Sequence, residues 1–210
     1  MTQRARQVLA VLTLGIALAA AYGIGYWSRG DTAPRAVDRP GAVDIGFCQD
    51  MSVHHAQAVV MAQDALGLSQ SPEVKDVARQ ILIGQSQQRG MMSGWLTEWD
   101  APQLPDGPPM TWMDESSMAG MAHGTTTMPG MATQAELDRL GSLHGKAFDV
   151  LFLQLMIRHH AGGILMAVDA QQHAGLNEVR ALAGQIVLDQ TQENAIMTQL
   201  LINDGAQPLR

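Results

Sequence analysis

The feature that most constrains this chain is an internal duplication. Sliding the sequence along itself by 105 residues aligns segment 44–96 with segment 149–201 without a gap and gives 20 identities over 53 positions. Self-similarity at a fixed offset indicates a supersecondary unit that packs against a copy of itself. We therefore predict two related units that together form one domain.

Each unit has the periodicity of an α-helix. At about 100° per residue, the apolar and His residues of the first unit fall in a stripe about 120° wide, the width of a core-facing surface. Polar residues such as Gln49 and Gln57 fall outside the stripe and are expected to face solvent. The residues of the stripe are Phe47, Met51, His54, His55, Ala58, Met61, Ala62 and Ala65.

Turn signals divide each unit into two helices. Gly67 ends the first helix, and Ser71 before Pro72 has the pattern of an N-cap followed by proline at the first helical position. Two such units predict an all-α, antiparallel four-helix bundle over residues 44–205, with two hairpins related by a pseudo-two-fold axis. The first hairpin covers 44–99, a linker covers 100–133, and 134–205 hold a short helix, opened by the capping box Thr133-x-x-Glu136, and the second hairpin.

The first thirty residues predict export. Residues 8–27 carry no charge, follow Arg4 and Arg6, and are long enough to cross the hydrocarbon core of a membrane. The excess of arginine on the N-terminal side places the N-terminus in the cytoplasm and the domain outside. Small residues at 17–21 also fit a signal-peptide cleavage site, so a single-pass anchor and a cleaved signal, giving a secreted or periplasmic protein, remain alternatives. Residues 31–43 form a tether.

The charge balance excludes one class of partner. Acidic residues number 20 against 13 basic ones, and three of the arginines flank the apolar run, so the rest of the chain is strongly acidic. An acidic surface repels phosphate backbones, which argues against nucleic-acid binding. The single cysteine, Cys48, excludes an intrachain disulfide framework and any Cys-only zinc or iron–sulfur site.

Chemistry is expected on the Met-His stripe. The motif F-x3-M-x2-HH-x5-MA occurs at 47–62 and again at 152–167. Because residues three or four apart are helical neighbours, each unit aligns two thioethers and two imidazoles. This donor set favours Cu(I) or Ag(I) over Mg, Ca or Mn, and the absence of Glu-x-x-His from the sequence disfavours a di-iron centre. The candidate metal ligands are Met51, His54, His55, Met61, Met156, His159, His160 and Met166.

Ordinary packing is the alternative for every one of these residues. Methionine at helical spacing usually fills a core, and a buried histidine is usually hydrogen-bonded. Four imidazoles in one bundle, however, need four sets of partners, and each ring left unpaired would cost about 1–3 kcal/mol. We therefore expect some of these histidines to bind metal, and a non-metal interaction or structural module of the cell envelope is the competing hypothesis. No convincing catalytic base or nucleophile is present, so an enzyme, such as a copper-dependent redox enzyme, is the weaker option.

The linker points to the same chemistry. It is rich in Pro, Gly, Ser and Thr, longer than an ordinary connection, and bears six methionines that have no core of their own to fill. Capture of soft cations explains them, and a lid folded over the bundle is the alternative. Cys48 lies near His55 on the helical wheel, but Leu153 replaces it in the second unit, which favours a packed thiol. The accessory metal candidates are Cys48, Met110, Met113, Met118, Met121, His123, Met128 and Met131.

The facing helices carry a second matched set. Glu193 is expected to orient a ligand imidazole from behind, as carboxylates do in metal sites. Its counterpart in the first unit is an amide, Gln88. The matched residues are Gln85, Gln88 and Met92 in the first unit and Gln190, Glu193 and Met197 in the second.

The doubled motif resembles the bacterial family catalogued as domain of unknown function 305. The resemblance rests on F-x3-M-x2-HH-x5-MA, on Q-x2-Q/E-x3-M near the end of the next helix, and on Met-Pro-Gly-Met at 128–131, and it covers about 44–205. It implies a ferritin-like helical bundle, commonly exported. Because some Met-rich relatives bind copper or silver ions, it implies metal ligands at the eight stripe positions. Gln88 stands where the family more often has Glu. The expected protein is a membrane-anchored, extracytoplasmic protein that sequesters or delivers Cu(I).

Overall fold

The computed structural model describes residues 39–114, 117 and 127–209, and in these ranges the chain forms five α-helices and no strand. The all-α class is confirmed. The predicted anchor at 1–30 and residues 31–38 of the tether lie outside the described residues. The helices are α1 (Ala42–Leu68), α2 (Pro72–Glu98), α3 (Gln134–Gly141), α4 (Gly145–His173) and α5 (Asn177–Asn203).

The four long helices form two hairpins, as the duplication predicts. Residues 69–71 join α1 to α2 and residues 174–176 join α4 to α5, and connections this short make the joined helices antiparallel neighbours. The hairpins meet mainly through α1 against α4, with α2 against α5 as the weaker contact. Each long helix therefore packs against two others, as in a four-helix bundle.

Local signals set the helix ends. Ser71 Oγ accepts a hydrogen bond from the Val74 amide at 3.2 Å, with Pro72 at the first helical position. The Thr133–Glu136 capping box starts α3. Asp44 does more than favour a helix start, because its carboxylate accepts from the Leu176 amide of the other hairpin at 2.9 Å. One acidic side chain thus ties the beginning of α1 to the turn between α4 and α5.

Two apolar clusters with a polar layer between them make up the core. Along α1 the His54–His55 pair lies between Met51 of one cluster and Met61 of the other. Along α4 the order is reversed, with Met156 in the cluster of Met61 and Met166 in the cluster of Met51. This reversal is what a pseudo-two-fold axis through the histidine layer requires.

Among the described residues, only α4 is long and apolar enough to cross a membrane by length and composition. Its apolar character has another explanation in the fold, since its large side chains are buried against the other helices. Phe148, Phe152 and Leu155 all have no exposed surface. The helix is a central element of the bundle.

The linker covers a face of α1 that the helical wheel predicts to be solvated. Gln49 is only 7% exposed and donates a hydrogen bond to the Pro102 carbonyl at 2.8 Å. Gln57 exchanges two hydrogen bonds with the Ala132 backbone, at 2.9 and 2.7 Å. The prediction that these two residues face solvent is wrong, because a wheel describes one helix and cannot show what a distant segment places over it.

Candidate metal centre

All four predicted histidines lie in the interior. His54 and His55 from α1 and His159 and His160 from α4 have no exposed surface. The rings of His54 and His159 lie face to face across the two units, with centroids 3.8 Å apart and planes tilted by 35°. The ring of His160 is 6.3 Å from that of His159. Helical spacing put each pair on the buried stripe, and the packing of α1 on α4 brought the two pairs together.

Three of the four rings are held through the same nitrogen. Nε2 of His54 lies 3.0 Å from the Pro129 carbonyl oxygen, Nε2 of His55 lies 2.8 Å from Gln88 Oε1, and Nε2 of His160 lies 2.7 Å from Glu193 Oε2. Each partner atom is an acceptor, so in the neutral ring Nε2 carries the hydrogen and Nδ1 keeps the lone pair.

The remaining ring nitrogens are buried without a hydrogen-bond partner among the described residues. They are Nδ1 of His54, His55 and His160 and both nitrogens of His159, whose ring has only a weak contact with the His54 backbone that opposes the fall in its pKa. A metal-binding histidine characteristically donates one ring N–H to a carbonyl or carboxylate and presents the other nitrogen to the ion. The orphaned Nδ1 atoms therefore fit the donor role, and the residues behind Nε2 fit the supporting role.

Burial keeps the rings of His54, His55 and His159 neutral. It lowers the pKa of His54 to about 4, although the hydrogen bond to Pro129 acts in the opposite direction. Burial, reinforced by repulsion from His54, lowers the pKa of His55 to about 3. The pKa of His159 is also lowered by burial and by the other three imidazoles. Neutral imidazole is the form that binds a metal ion.

The four stripe methionines are buried on either side of the histidine layer. Met51 and Met166 belong to one apolar cluster, and Met61 and Met156 belong to the other. In the part of the chain that the structure describes, no three His, Cys, Asp or Glu side chains are grouped as a metal ion would need. Imidazole, carboxylate and thiol donors alone therefore do not form such a group among the described residues.

The two units support their histidines differently. Glu193 offers His160 a carboxylate, whereas Gln88 offers His55 an amide oxygen and passes its own N–H to Asp189 on α5 at 3.1 Å. Gln85 and Gln190 occupy equivalent places in the repeat, and neither amide group has a hydrogen-bond partner among the described residues. Met92 and Met197 are buried in the two clusters. The facing helices thus line the histidine layer with polar groups.

The described linker methionines are not solvated. Met110, Met113 and Met128 are at most 8% exposed and pack in the cluster of Met51 and Met166. These three fill the core, so the lid folded over the bundle, given above as the alternative, is what the structure shows there. Met131 is partly buried against the same cluster. Met118, Met121 and His123 lie outside the described residues.

An acid that the sequence reasoning missed anchors this lid. Asp50 is 2% exposed and accepts hydrogen bonds from the Met110 amide at 2.6 Å and from Trp112 Nε1 at 2.8 Å. The corresponding residue in the second unit is Leu155. This difference between the two units, an acid in one and an apolar residue in the other, was the sequence signal that Asp50 has a role of its own.

A second part of the linker lies directly over the histidine layer. Because Gly162 has no side chain, the Pro129 carbonyl can approach α4, and a Cβ on Gly162 would overlap that oxygen. Gly130 has a φ of +77° and lies against the Arg158 carbonyl in the same way. The Met-Pro-Gly-Met sequence at 128–131 therefore places the Pro129 carbonyl within hydrogen-bonding distance of His54.

Cys48 is a packed thiol in this structure. Burial, with a smaller contribution from the charge of Asp44, raises the pKa of Cys48 to about 12. The side chain is fully buried in the cluster that contains Met51. At neutral pH it is therefore a protonated, apolar neighbour of the thioethers.

Comparison with known proteins places this geometry in a family. The family model described as "Domain of unknown function (DUF305)" matches residues 44–201. A DUF305 protein from Streptomyces coelicolor, assigned as secreted, is 40% identical, with a TM-score of 0.72 over 83% of this chain and 99% of that one. A DUF305 fragment from Deinococcus radiodurans is 32% identical, with a TM-score of 0.64 over 79% and 99% of the two chains.

A third similar structure carries metal. CopM in its Cu(II)-bound form is 28% identical to this chain, with a TM-score of 0.60 over 76% of this chain and 96% of CopM. CopM structures in Cu(I)-bound and Ag-bound forms also match. No match was found among curated proteins.

Proposed function

This chain belongs to the DUF305 family, and from that premise we propose that it is an extracytoplasmic protein that binds Cu(I), or its mimic Ag(I), for sequestration or delivery. The metal is cargo in this proposal. The bound copper and silver of the related CopM structures support the choice of ion.

One observation carries the proposal. Five nitrogens on four fully buried imidazoles have no hydrogen-bond partner among the described residues. Each such nitrogen costs about 1–3 kcal/mol in a structure without a compensating partner. A metal ion would turn that cost into binding free energy, because the lone pairs are already desolvated and the rings of His54, His55 and His159 are already neutral.

The donors come from both units. The proposed nitrogen ligands are drawn from Nδ1 of His54, His55 and His160 and from either nitrogen of His159, and the proposed sulfur ligands are Met51, Met61, Met156 and Met166. Thioether and imidazole together suit Cu(I) and Ag(I), which are soft ions. Gln88, Glu193 and the Pro129 carbonyl would hold the rings from behind.

The linker has a part in this function. Its buried Met110, Met113 and Met128 pack in the same cluster as Met51 and Met166 and make that cluster rich in sulfur. We assign them, with Met118, Met121, His123 and Met131, the role of accessory thioether and imidazole donors during uptake or release. The site would then be loaded through the lid.

Location outside the cytoplasm completes the proposal. The uncharged run at 8–27 after two arginines supports membrane insertion or secretion, and the Streptomyces coelicolor relative is assigned as secreted. A copper store or carrier on that side would meet the ion before it enters the cell.

A structural module is the alternative, and a specific observation favours it. Three of the four rings already have one good hydrogen bond, from Nε2 to Pro129, Gln88 or Glu193. In that case the histidine layer would serve to fix the register of the two hairpins and to hold the lid.

Competitive titration separates the two. The purified full chain, in detergent if the anchor is retained, is titrated anaerobically with Cu(I) in the presence of bicinchoninate. We expect stoichiometric uptake that is lost when His54, His55, His159 and His160 are replaced together by Gln, and retained in His144→Gln, which changes an exposed histidine. If the folded wild-type protein removes no Cu(I) from the chelator, the copper-binding proposal is refuted and the structural module is the remaining hypothesis.

A further inference from the structure

A groove on the outer side of the first hairpin has features that the metal centre does not explain. It has a volume of about 460 Å³, lies between α1 and α2, and is also lined by the linker residue Leu104. Arg89 and Ser86 of α2 supply its polar groups, and Val53 and Ala56 of α1 form an apolar wall. We call it the Arg89 groove.

Arg89 is a cation without a counterion. Among the described residues, its guanidinium makes no ion pair or hydrogen bond, and its Nε is buried without an acceptor. Arg79 on the same helix pairs with Asp76 at 2.7 Å, and Arg158 pairs with Glu136 at 2.7 Å. A shortage of acids does not explain the difference, because the chain has 20 acidic residues against 13 basic ones. A buried N–H of a charged group is costly to leave without an acceptor.

The duplication shows that the groove is specific to the first unit. At the equivalent positions, Asn194 replaces Arg89 and Ala195 replaces Gly90. Ile157 in turn replaces Ser52, which also lines the groove. The cation and the space are therefore not general consequences of this hairpin fold. A Cβ added to Gly90 would have no atom within 4 Å, which shows that the groove is open at that point.

The chemistry of the lining selects its ligand. A guanidinium binds a carboxylate through two parallel N–H···O bonds, and the exposed Ser86 hydroxyl adds a donor on the same helix. The opposite wall is apolar, and Leu104 is 63% exposed there. The volume lies within the usual range for small-molecule sites.

We propose that the Arg89 groove binds a small organic carboxylate with an apolar group, of the size of an acylated amino acid. The carboxylate lies on Arg89 and Ser86, and the apolar group lies against Val53, Ala56 and Leu104. One cation beside an apolar wall suits such a ligand better than inorganic phosphate, which requires several donors around it and gains nothing from apolar contact.

The proposed ligand does not require a bound metal, so its binding is tested on the metal-free protein. N-acetylleucine is titrated into ¹⁵N-labelled full chain while the Arg89 Nε–Hε and Gly90 amide NMR signals are followed. We expect saturable shifts at concentrations at least tenfold lower than those at which acetate or inorganic phosphate produces them. Absence of saturation, or an equal response to phosphate, would overturn the proposal.

Three variants locate the site. Arg89→Gln should weaken binding at least tenfold, read on the Gly90 amide. Gly90→Leu should block the groove with Arg89 still present, read on Nε–Hε, and its fold should be kept because the added side chain enters open space. Arg79→Gln, which removes an exposed cation from the same helix, should bind as the wild type does. Unchanged binding in Gly90→Leu would show that the ligand is not in the groove.

Discussion

The imidazole rings of His54 and His159 lie face to face with their centroids 3.8 Å apart, although 105 residues separate them in the chain. They occupy equivalent positions in the two units, so the contact lies where the pseudo-two-fold axis crosses the bundle. Two protonated rings cannot share that position without strong repulsion, since both are fully buried. The contact therefore requires neutral rings. The protonation of these rings and their binding of metal can both be measured directly.

The first prediction concerns the tautomers. In the metal-free protein at pH 7, His54 and His55 should be neutral with the hydrogen on Nε2, because burial lowers the pKa of both rings and each Nε2 faces an acceptor. Long-range ¹H–¹⁵N correlation spectra distinguish the two ring nitrogens. On addition of Ag(I), the Nδ1 signals of the ligating rings should move most. A hydrogen on Nδ1 in these rings would contradict the proposed mode of ligation.

Acid should destabilise the metal-free fold through these rings. The folded pKa of His54 is about 4 and that of His55 about 3, below the ordinary 6.5, so the unfolded chain binds protons more readily. Their contribution to stability is complete above about pH 6.5 and is lost as the pH falls toward 4 and 3, by up to about 1.4 kcal/mol per pH unit for each ring. Urea unfolding at a series of pH values measures this slope.

The matched variants for that slope are His54→Phe and His144→Phe. Replacing His54 removes one buried proton acceptor and should flatten the dependence between pH 6.5 and 4. Replacing the exposed His144 should leave the slope unchanged. Equal slopes in the two variants would show that the buried ring does not control acid unfolding.

Glu193 should contribute to metal affinity without touching the ion. Its carboxylate lies 2.7 Å from Nε2 of His160 and holds that ring in its orientation. Glu193→Gln gives the second unit the amide that the first unit has at Gln88. We expect Cu(I) affinity to fall about 10- to 100-fold, as for other supporting residues of metal sites. Glu98→Gln, at the end of α2, serves as the control for a lost negative charge and should not change the affinity in the same chelator competition.

Asp50 should control how firmly the linker is held. Asp50→Leu installs the residue of the second unit and leaves the Met110 amide and Trp112 Nε1 without their acceptor. We expect a loss of about 1–3 kcal/mol in unfolding free energy and faster proteolytic cleavage of the linker. Asp106→Asn, in an exposed part of the same linker, should change neither quantity. A linker that is cleaved at the wild-type rate in Asp50→Leu would refute the anchoring role.

Two glycine substitutions should have opposite signs. Gly162→Ala would force its Cβ against the Pro129 carbonyl and push the linker from His54, so thermal stability should fall. Gly84→Ala, in the middle of α2, meets no atom within 4 Å and should stabilise the protein by about 0.5–1 kcal/mol through helix propensity. Both melting temperatures are read by circular dichroism, and a stabilising Gly162→Ala would show that the close approach is not needed.

The sequence by itself determined the helices, their pairing and the identity of the inward-facing histidines. These features depend on local rules, namely a period of 3.6 residues, the Ser71 and Thr133 caps and the duplication, and each is readable along a short segment. The supporting role of Glu193 toward an imidazole was also accessible, since its position in the repeat places it opposite the stripe.

Only the tertiary structure decided what the linker does and how the rings are used. Asp50 and Gln49 face away from the core on a helical wheel, yet segments more than 50 residues away bury them. The acceptor on His54 is a backbone carbonyl, which has no sequence signature, and it reaches the ring because two glycines lack side chains. Long-range packing sets these contacts. The periodicity of one helix shows which of its residues share a face, but it cannot show which distant segment packs against that face.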